Sequence, residues 1–242
     1  MRWSISKLHV REGCAYRYKL KYIDKVPEPE RPLPPGKSEH ANDRGSRVHE
    51  QNELFVRGEV DKLPAESADF QALIEDLQER FRAGLVMLEH DWCFDEDWEP
   101  CSPEERAAIA IVDVAVWIVK DRWLLIIDYK TGRKYETKHM DQMQLYALAA
   151  FKKWPFLERV TTELWYLDID EISTSHFTRN HIPAIQRAFH NRVGKMERDT
   201  EFKPAANIYS CRYCPYKDGI CPHAVDEKTP VKGNEWASEW KI

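Results

Sequence analysis

Ile111-Val112-Asp113-Val114-Ala115 and Ile126-Ile127-Asp128-Tyr129-Lys130 decide the reading of this 242-residue chain. Each sets one carboxylate inside a run of Ile, Val and Ala, and such β-branched runs read as strands. Residues 107–119 form one expected strand and 123–129 the next, with a turn at Lys120-Asp121-Arg122. Charged side chains rarely sit in strands this apolar unless they are paired or bound to a metal. A two-residue turn at Lys120-Asp121 sets Asp113 opposite Asp128, with Cβ atoms about 5 Å apart. Two like charges at that spacing oppose each other, and a divalent cation between them removes the conflict. Lys130 follows Asp128 by two residues and emerges on the same face. Two carboxylates and a lysine around a hard metal suit phosphodiester hydrolysis. The metal binds phosphate oxygens and generates hydroxide, and the lysine supports the nucleophile or the developing charge.

The neighbouring residues extend this picture. Residues 138–153 have helical period, and Gln142 and Tyr146, four apart, share a face beside the hairpin. Their polar tips suit contacts to a phosphate or to Lys130. His49 lies in Arg44-Gly45-Ser46-Arg47-Val48-His49-Glu50, on a helix expected from Asn42 or Asp43 to Arg57 with Gly58 as its stop. An imidazole completes a carboxylate metal site and favours manganese beside magnesium. Further helices are expected over residues 6–23, 67–88 and 182–198, and a third strand over 162–169. Residues 27–36, with five prolines, read as a loop, and 91–103 as irregular. Helices followed by strands and further helices give a mixed α/β core with a helical N-terminal part.

Together these residues resemble the PD-(D/E)XK nuclease superfamily, in its RecB-like exonuclease branch related to the CRISPR-associated nucleases. Gly45 to Glu50 resembles the Gly-x-x-x-His helix motif, and Asp113 the first acidic strand position. Asp128-Tyr129-Lys130, with Thr131-Gly132 after it, resembles the (D/E)-x-K position, and Gln142 to Tyr146 the Gln-x-x-x-Tyr helix. No proline precedes Asp113, where the family name places one. The resemblance implies a restriction-endonuclease-like mixed sheet flanked by helices. It implies His49, Asp113, Asp128 and the Tyr129 carbonyl as ligands of magnesium or manganese. It makes Lys130 the catalytic lysine, with Gln142 and Tyr146 organising the site and DNA. The implied activity is exonucleolytic hydrolysis of DNA, single-stranded or with a free end, in recombination, repair, replication or CRISPR adaptation. Two other readings stay open: a structure-specific or single-strand endonuclease on the same core, and a non-catalytic zinc or cluster DNA-binding module.

The chain has six cysteines, and its first residues lack an apolar signal core. The expected location is cytoplasmic, including that of a phage-encoded protein in its host, where disulfides are rare. Cys211-x2-Cys214-x6-Cys221 has the density of a metal site. A fourth ligand could come from Cys14, His223, Cys93 or Cys101. The resemblance selects Cys14, within Gly13-Cys14-Ala15-Tyr16-Arg17-Tyr18, and implies a four-iron four-sulfur (4Fe–4S) cluster that clasps the two ends of the chain. Zinc on Cys14 or His223 is the alternative. Cys93 and Cys101, in acidic surroundings, read as ordinary thiols.

The net charge is −5, with 43% hydrophobic and 32% charged residues, which excludes a disordered or a membrane-spanning chain. The charge is uneven: residues 1–25 carry net +5 and residues 59–105 net −12. The acidic segment is expected to face away from DNA. Arg11, Arg17, Lys19 and Lys21, interleaved with Tyr16, Tyr18 and Tyr22, are candidate contacts to phosphates and unpaired bases, as is Arg47. The same N-terminal pattern also fits an amphipathic helix with its aromatics packed inward. The expected organisation is one nuclease domain over 1–225, with a mainly helical part (1–105), a core (106–200), a cysteine segment (201–225), and then a polar tail, 226–242.

Overall fold

The computed structural model describes residues 2–118 and 122–226. The chain divides into two compact units, one of Met1–Leu8 with Leu33–Arg198, the other of His9–Pro32 with Asp199–Ile242. No helix among the described residues is long and apolar enough to cross a membrane.

The first unit is built on a six-stranded mixed sheet. Its strands are β1 (Trp3–Ser4), β2 (Val86–Phe94), β3 (Ala108–Ile118), β4 (Trp123–Lys130), β5 (Arg159–Tyr166) and β6 (Glu171–Thr178). Strand β3 is the hub: it pairs in parallel with β1 and antiparallel with both β2 and β4. Strand β5 then runs parallel to β4, and β6 returns antiparallel to β5. The parallel β4–β5 pair needs a crossover, which helix α5 (Glu136–Lys153) supplies. The helices α1 (Ile5–Gly13), α2 (Ala15–Tyr18), α3 (Ala41–Arg57), α4 (Gln71–Arg82), α6 (Ile182–Arg198) and α7 (Ile208–Arg212) complete the elements. This is a restriction-endonuclease-like architecture, as the motifs imply.

One core cluster joins α3 (Val48, Phe55, Val56) and the Phe70-to-Leu77 stretch to Val86, Leu88, Val114, Val116, Ile127, Tyr129 and Trp165 of the sheet. Helix α5 buries Met143 and the whole run Leu145 to Phe151, so its second half is enclosed nearly all round. Each such large side chain contributes about 1.5–3 kcal/mol when withdrawn from water. These contacts fix α3 and α5 against the strands that carry the two acidic positions.

Helix α3 ends where expected, with Gly58 at φ 78° as its left-handed stop. Three expectations need correction. The helix expected over 67–88 is a 3-10 turn (Ala65–Phe70) and α4, which ends at Arg82. Gly84, at φ 73°, turns the chain, and Val86–Phe94 pairs with β3 as a strand, so the mainly helical part also contributes a long strand and residues 91–94 are not irregular. Burial against β3 outweighs the helical spacing of the acids before it. The helix expected over 6–23 breaks at Cys14, whose backbone is extended. Beyond it lie α2 and a π-helical turn, Lys19–Ile23. Strand β6, rich in Ser and Thr and mostly exposed at the sheet edge, carries little apolar signal.

In the second unit, Tyr216 is buried and its hydroxyl donates to the Val26 carbonyl at 2.9 Å. Arg11 pairs with Asp199 at 2.6 Å. Asn207 caps α7 by accepting from the Tyr209 and Ser210 amides.

Candidate active site

The β3–β4 ladder runs from Ile118↔Trp123 to Val114↔Ile127. This is the register that a turn at Lys120-Asp121 requires, although those turn residues lie outside the described ones. One rung further, at Asp113 and Asp128, the ladder opens. The Tyr129 amide donates to Asp113 Oδ2 at 3.0 Å in place of a strand partner. The Asp113 side chain therefore sits in the fork between the parting strands, and that fork holds the site.

Helix α3 brings His49 to the same carboxylate, with Nδ1 3.0 Å from Asp113 Oδ2. Gly45, one turn before His49, packs near the segment after β4: a Cβ there would lie 3.4 Å from Thr131 Oγ1. Burial works against a charge on His49, but Asp113 outweighs it and holds the imidazole pKa up at about 9.

A second network surrounds Asp128, which is only 1% exposed. Lys130 Nζ lies 2.5 Å from Asp128 Oδ2 and donates to Gln142 Oε1 at 2.9 Å. Gln142 Nε2 donates to Asp128 Oδ1 at 2.9 Å and to the Tyr146 hydroxyl at 2.6 Å. That hydroxyl in turn donates to Asp128 Oδ1 at 3.2 Å. Burial, and then the Asp113 charge, push the Asp128 carboxyl above its ordinary range, against the pull of Lys130 and His49. Burial and the Asp128 charge likewise raise the Tyr146 phenol, so it stays a donor.

The structure thus brings together His49, Asp113, Asp128, Tyr129, Lys130, Gln142 and Tyr146, from one helix, two strands and the crossover helix. Two buried carboxylates beside an imidazole form a nitrogen-and-oxygen donor set suited to a divalent metal.

The candidate DNA contacts are placed differently. Tyr18 is buried and packs against Tyr22, with ring centroids 5.2 Å apart, and Tyr16 meets His223 edge-on at 4.8 Å. Tyr18 is thus packed inward, while Tyr16 and Tyr22 are half-buried. Lys19 pairs with Asp24 and Lys21 with Glu28, both at 2.5 Å, and Arg17 is half-buried. Arg47 bonds Glu39 and Glu66, each at 2.7 Å.

Cys14, Cys211, Cys214 and Cys221 all belong to the second compact unit. The Cys214 amide donates to the Cys211 carbonyl at 3.0 Å. Burial pushes the Cys214 thiol up, and Cys221 and Cys14 push it further, against Arg17. Cys93 and Cys101 lie in the other unit, with thiols raised chiefly by burial, the opposite of activation.

Two features escaped the sequence. Glu89 on β2 reaches His49 and Asp113: the ligand atoms of the three lie within 4.8 Å of one another. Burial, with Asp113 and Glu53 nearby, pushes its carboxyl up to about 7. Glu66 anchors Arg44 and Arg47. The acidic segment therefore does not face wholly outward, because β2 carries one of its acids into the site.

The structure is similar to SSO0001, at 15% identity over 93% of this chain and 87% of that one, with a TM-score of 0.45. It is also similar to a candidate exonuclease from Eubacterium rectale, at 11% identity over 99% and 94% of the two chains, with a TM-score of 0.56. No curated protein matches. The model of the PD-(D/E)XK nuclease superfamily matches residues 2–222, and the chain belongs to that superfamily.

Proposed function

We propose that this nuclease is a metal-dependent deoxyribonuclease acting as an exonuclease. The observation that carries this reading is the junction at the strand fork. Asp113, held by His49 and the Tyr129 amide, faces Asp128, held by Lys130, Gln142 and Tyr146. His49, Asp113, Asp128 and the Tyr129 carbonyl would hold magnesium or manganese, which supplies a nucleophilic hydroxide and neutralises charge on the scissile phosphate.

The protein's own groups do the rest. Asp113 and Asp128 fix the ligand geometry, and the hydrogen bonds of Tyr146 and Gln142 leave Asp128 one orientation. Lys130, steered by Gln142, presents an ammonium that would orient the attacking water, whose proton passes to bulk solvent, and would offset the charge growing on the phosphate. DNA with a free end is the proposed substrate. The fold likeness to a candidate exonuclease supports that choice, and a single-strand or structure-specific endonuclease is the second reading.

The four cysteines of the second unit are proposed to hold a 4Fe–4S cluster, with zinc as the alternative. Their shared unit, and the push of Cys221 and Cys14 on the Cys214 thiol, support a common ligand. The cytoplasm is the proposed location, since unpaired cysteines suit it.

End-labelled linear DNA incubated with magnesium or manganese should release nucleotides progressively, while circular single-stranded DNA stays intact. Cleavage of the circle favours the endonuclease. Full activity in Asp113→Ala or Lys130→Ala protein refutes the site.

A further inference from the structure

We propose that Tyr209 and Tyr213 form a stacking platform for unpaired DNA bases, with Arg212 and Lys217 supplying its phosphate contacts. The proposal rests on the DNA-cleaving reading above and adds to it a second place, in the other compact unit, where the substrate strand is held.

The local sequence sets the geometry. Tyr209 lies in α7 and Tyr213 caps its C-terminal end, so the two, four residues apart, share a side. Cys211 falls between them, about half a turn away, and is buried. Tyr216 is also buried, with its hydroxyl on the Val26 carbonyl. With these two side chains turned inward and Asn207 capping the helix, Tyr209 and Tyr213 face water, 81% and 68% exposed. Ile208 beside them is exposed as well. Single exposed apolar residues are ordinary, and tyrosine is usually half-buried. Two tyrosines this far exposed on one short turn make a contiguous aromatic surface.

The charge around that surface selects its occupant. Arg212 lies over the Tyr213 ring, 5.5 Å from its centroid, and Lys217 Nζ donates to the Arg212 carbonyl at 3.4 Å. Both cations are exposed, and neither has a carboxylate partner among the described residues. From residue 202 to 220 the single acid is Asp218. The N-terminal cations of the same unit differ, because Arg11, Lys19 and Lys21 are each held by an acid. An apolar protein partner is met by aliphatic side chains, whereas flat rings edged with cations match bases and phosphates. Residues four apart on a turn have Cβ atoms about 5–6 Å apart, so two successive bases can each take a ring. Every base has a π-face, so the grip is indifferent to sequence. That suits a nuclease that must hold any strand with a free end.

The test is binding of single-stranded oligonucleotides by the whole chain, with no divalent ion added, read by fluorescence anisotropy. A strand carrying a fluorescent purine analogue should dim on wild-type protein, as a base does when it stacks on a ring. Tyr209→Leu and Tyr213→Leu should each weaken binding by at least about fivefold, the low end for one base–aromatic stack. Tyr209→Phe and Tyr213→Phe, which keep the ring, should bind like wild type. Lys217→Gln should reduce the slope of log affinity against log salt by about 0.7, one phosphate contact on a single strand. Melting checks that each variant is folded. Ultraviolet crosslinking of a bromodeoxyuridine strand to wild-type protein needs no variant, and it should mark Tyr209 or Tyr213. Unchanged affinity in the folded variant carrying both Leu substitutions overturns the proposal and leaves this face to a protein partner. So do crosslinks confined to other segments. Wild-type protein that binds no single strand also overturns it, and if that protein still cleaves linear DNA with magnesium, the nuclease reading survives. A chain that neither binds nor cleaves DNA overturns both.

Discussion

Arg44 grips Asp168 with both terminal nitrogens, at 2.8 and 2.6 Å, and Asp168 Oδ2 also accepts the Gly132 amide at 2.6 Å. One carboxylate thereby ties the helix that carries His49 to the segment just past Lys130. Arg44 Nε meanwhile bonds Glu66 at 3.1 Å, which also holds Arg47. The Arg44 bond holds the Asp168 carboxyl below its ordinary range, helped by the Gly132 amide and by the charges of Arg44 and Lys37. A depressed carboxyl pKa stabilises the fold above the ordinary Asp value of about 3.9, and that stability is lost as pH falls through the lower folded value. Asp168→Asn should melt below wild type at pH 7, by about 1 kcal/mol given the partial exposure of the pair. The gap should close in acid. A gap that stays constant with pH would show that the Asp168 charge is not what matters.

The buried acid at Asp128 gives a second prediction. Binding of manganese to the folded state alone stabilises by about 2.7 kcal/mol at a hundredfold excess over Kd, or roughly 5–10 °C in Tm for a chain of this size. Asp128→Asn keeps an acceptor for Gln142 and Tyr146 but not the charge. Wild-type protein should show the manganese-dependent rise and Asp128→Asn most of its loss. Equal shifts in both proteins would remove Asp128 from the ligand set.

Tyr146 touches Asp128 and Gln142 but no position assigned to the phosphate, so it acts by positioning. Tyr146→Phe keeps the ring and removes the hydroxyl. It should lower kcat by about 10–100-fold with KM for DNA nearly unchanged, and manganese should still bind. Gln142→Leu frees Lys130 as well, so its loss should be larger. An effect on KM alone would instead assign these residues to DNA binding.

The sequence made some of this legible and hid the rest for physical reasons. The Asp113–Asp128 relation could be read because a short hairpin turns numbering into geometry, and the observed rungs keep that register. The Gln142–Tyr146 pair was legible because four residues make one helical turn. Glu89 was not: its strand follows α4 after only Ala83, Gly84 and Leu85, and acids at helical spacing ran into it. The Arg44–Asp168 tie joins residues 124 apart, so no local period could reveal it. The N-terminal tyrosines show the converse, since a basic-aromatic pattern fits a packed helix as well as a DNA contact, and Tyr18 is packed.

The cysteines allow a last prediction, because the six divide by unit. Cys14, Cys211, Cys214 and Cys221 share one unit, while Cys93 and Cys101 sit on and after β2 in the other. Iron or zinc content per chain, measured on protein purified without oxygen, should fall sharply in Cys14→Ser and in Cys214→Ser. It should stay at the wild-type level in Cys101→Ser, because Cys101 belongs to the other unit. Among its described residues the second unit has few large buried side chains besides Tyr18, Leu20 and Tyr216, so a bound metal would supply much of their stability. Metal loss should therefore also expose the segments around Cys14 and Cys211 to proteolysis, while β3 and β4 stay protected. Full metal content in Cys14→Ser would remove Cys14 from the site and leave His223 as the fourth ligand to test.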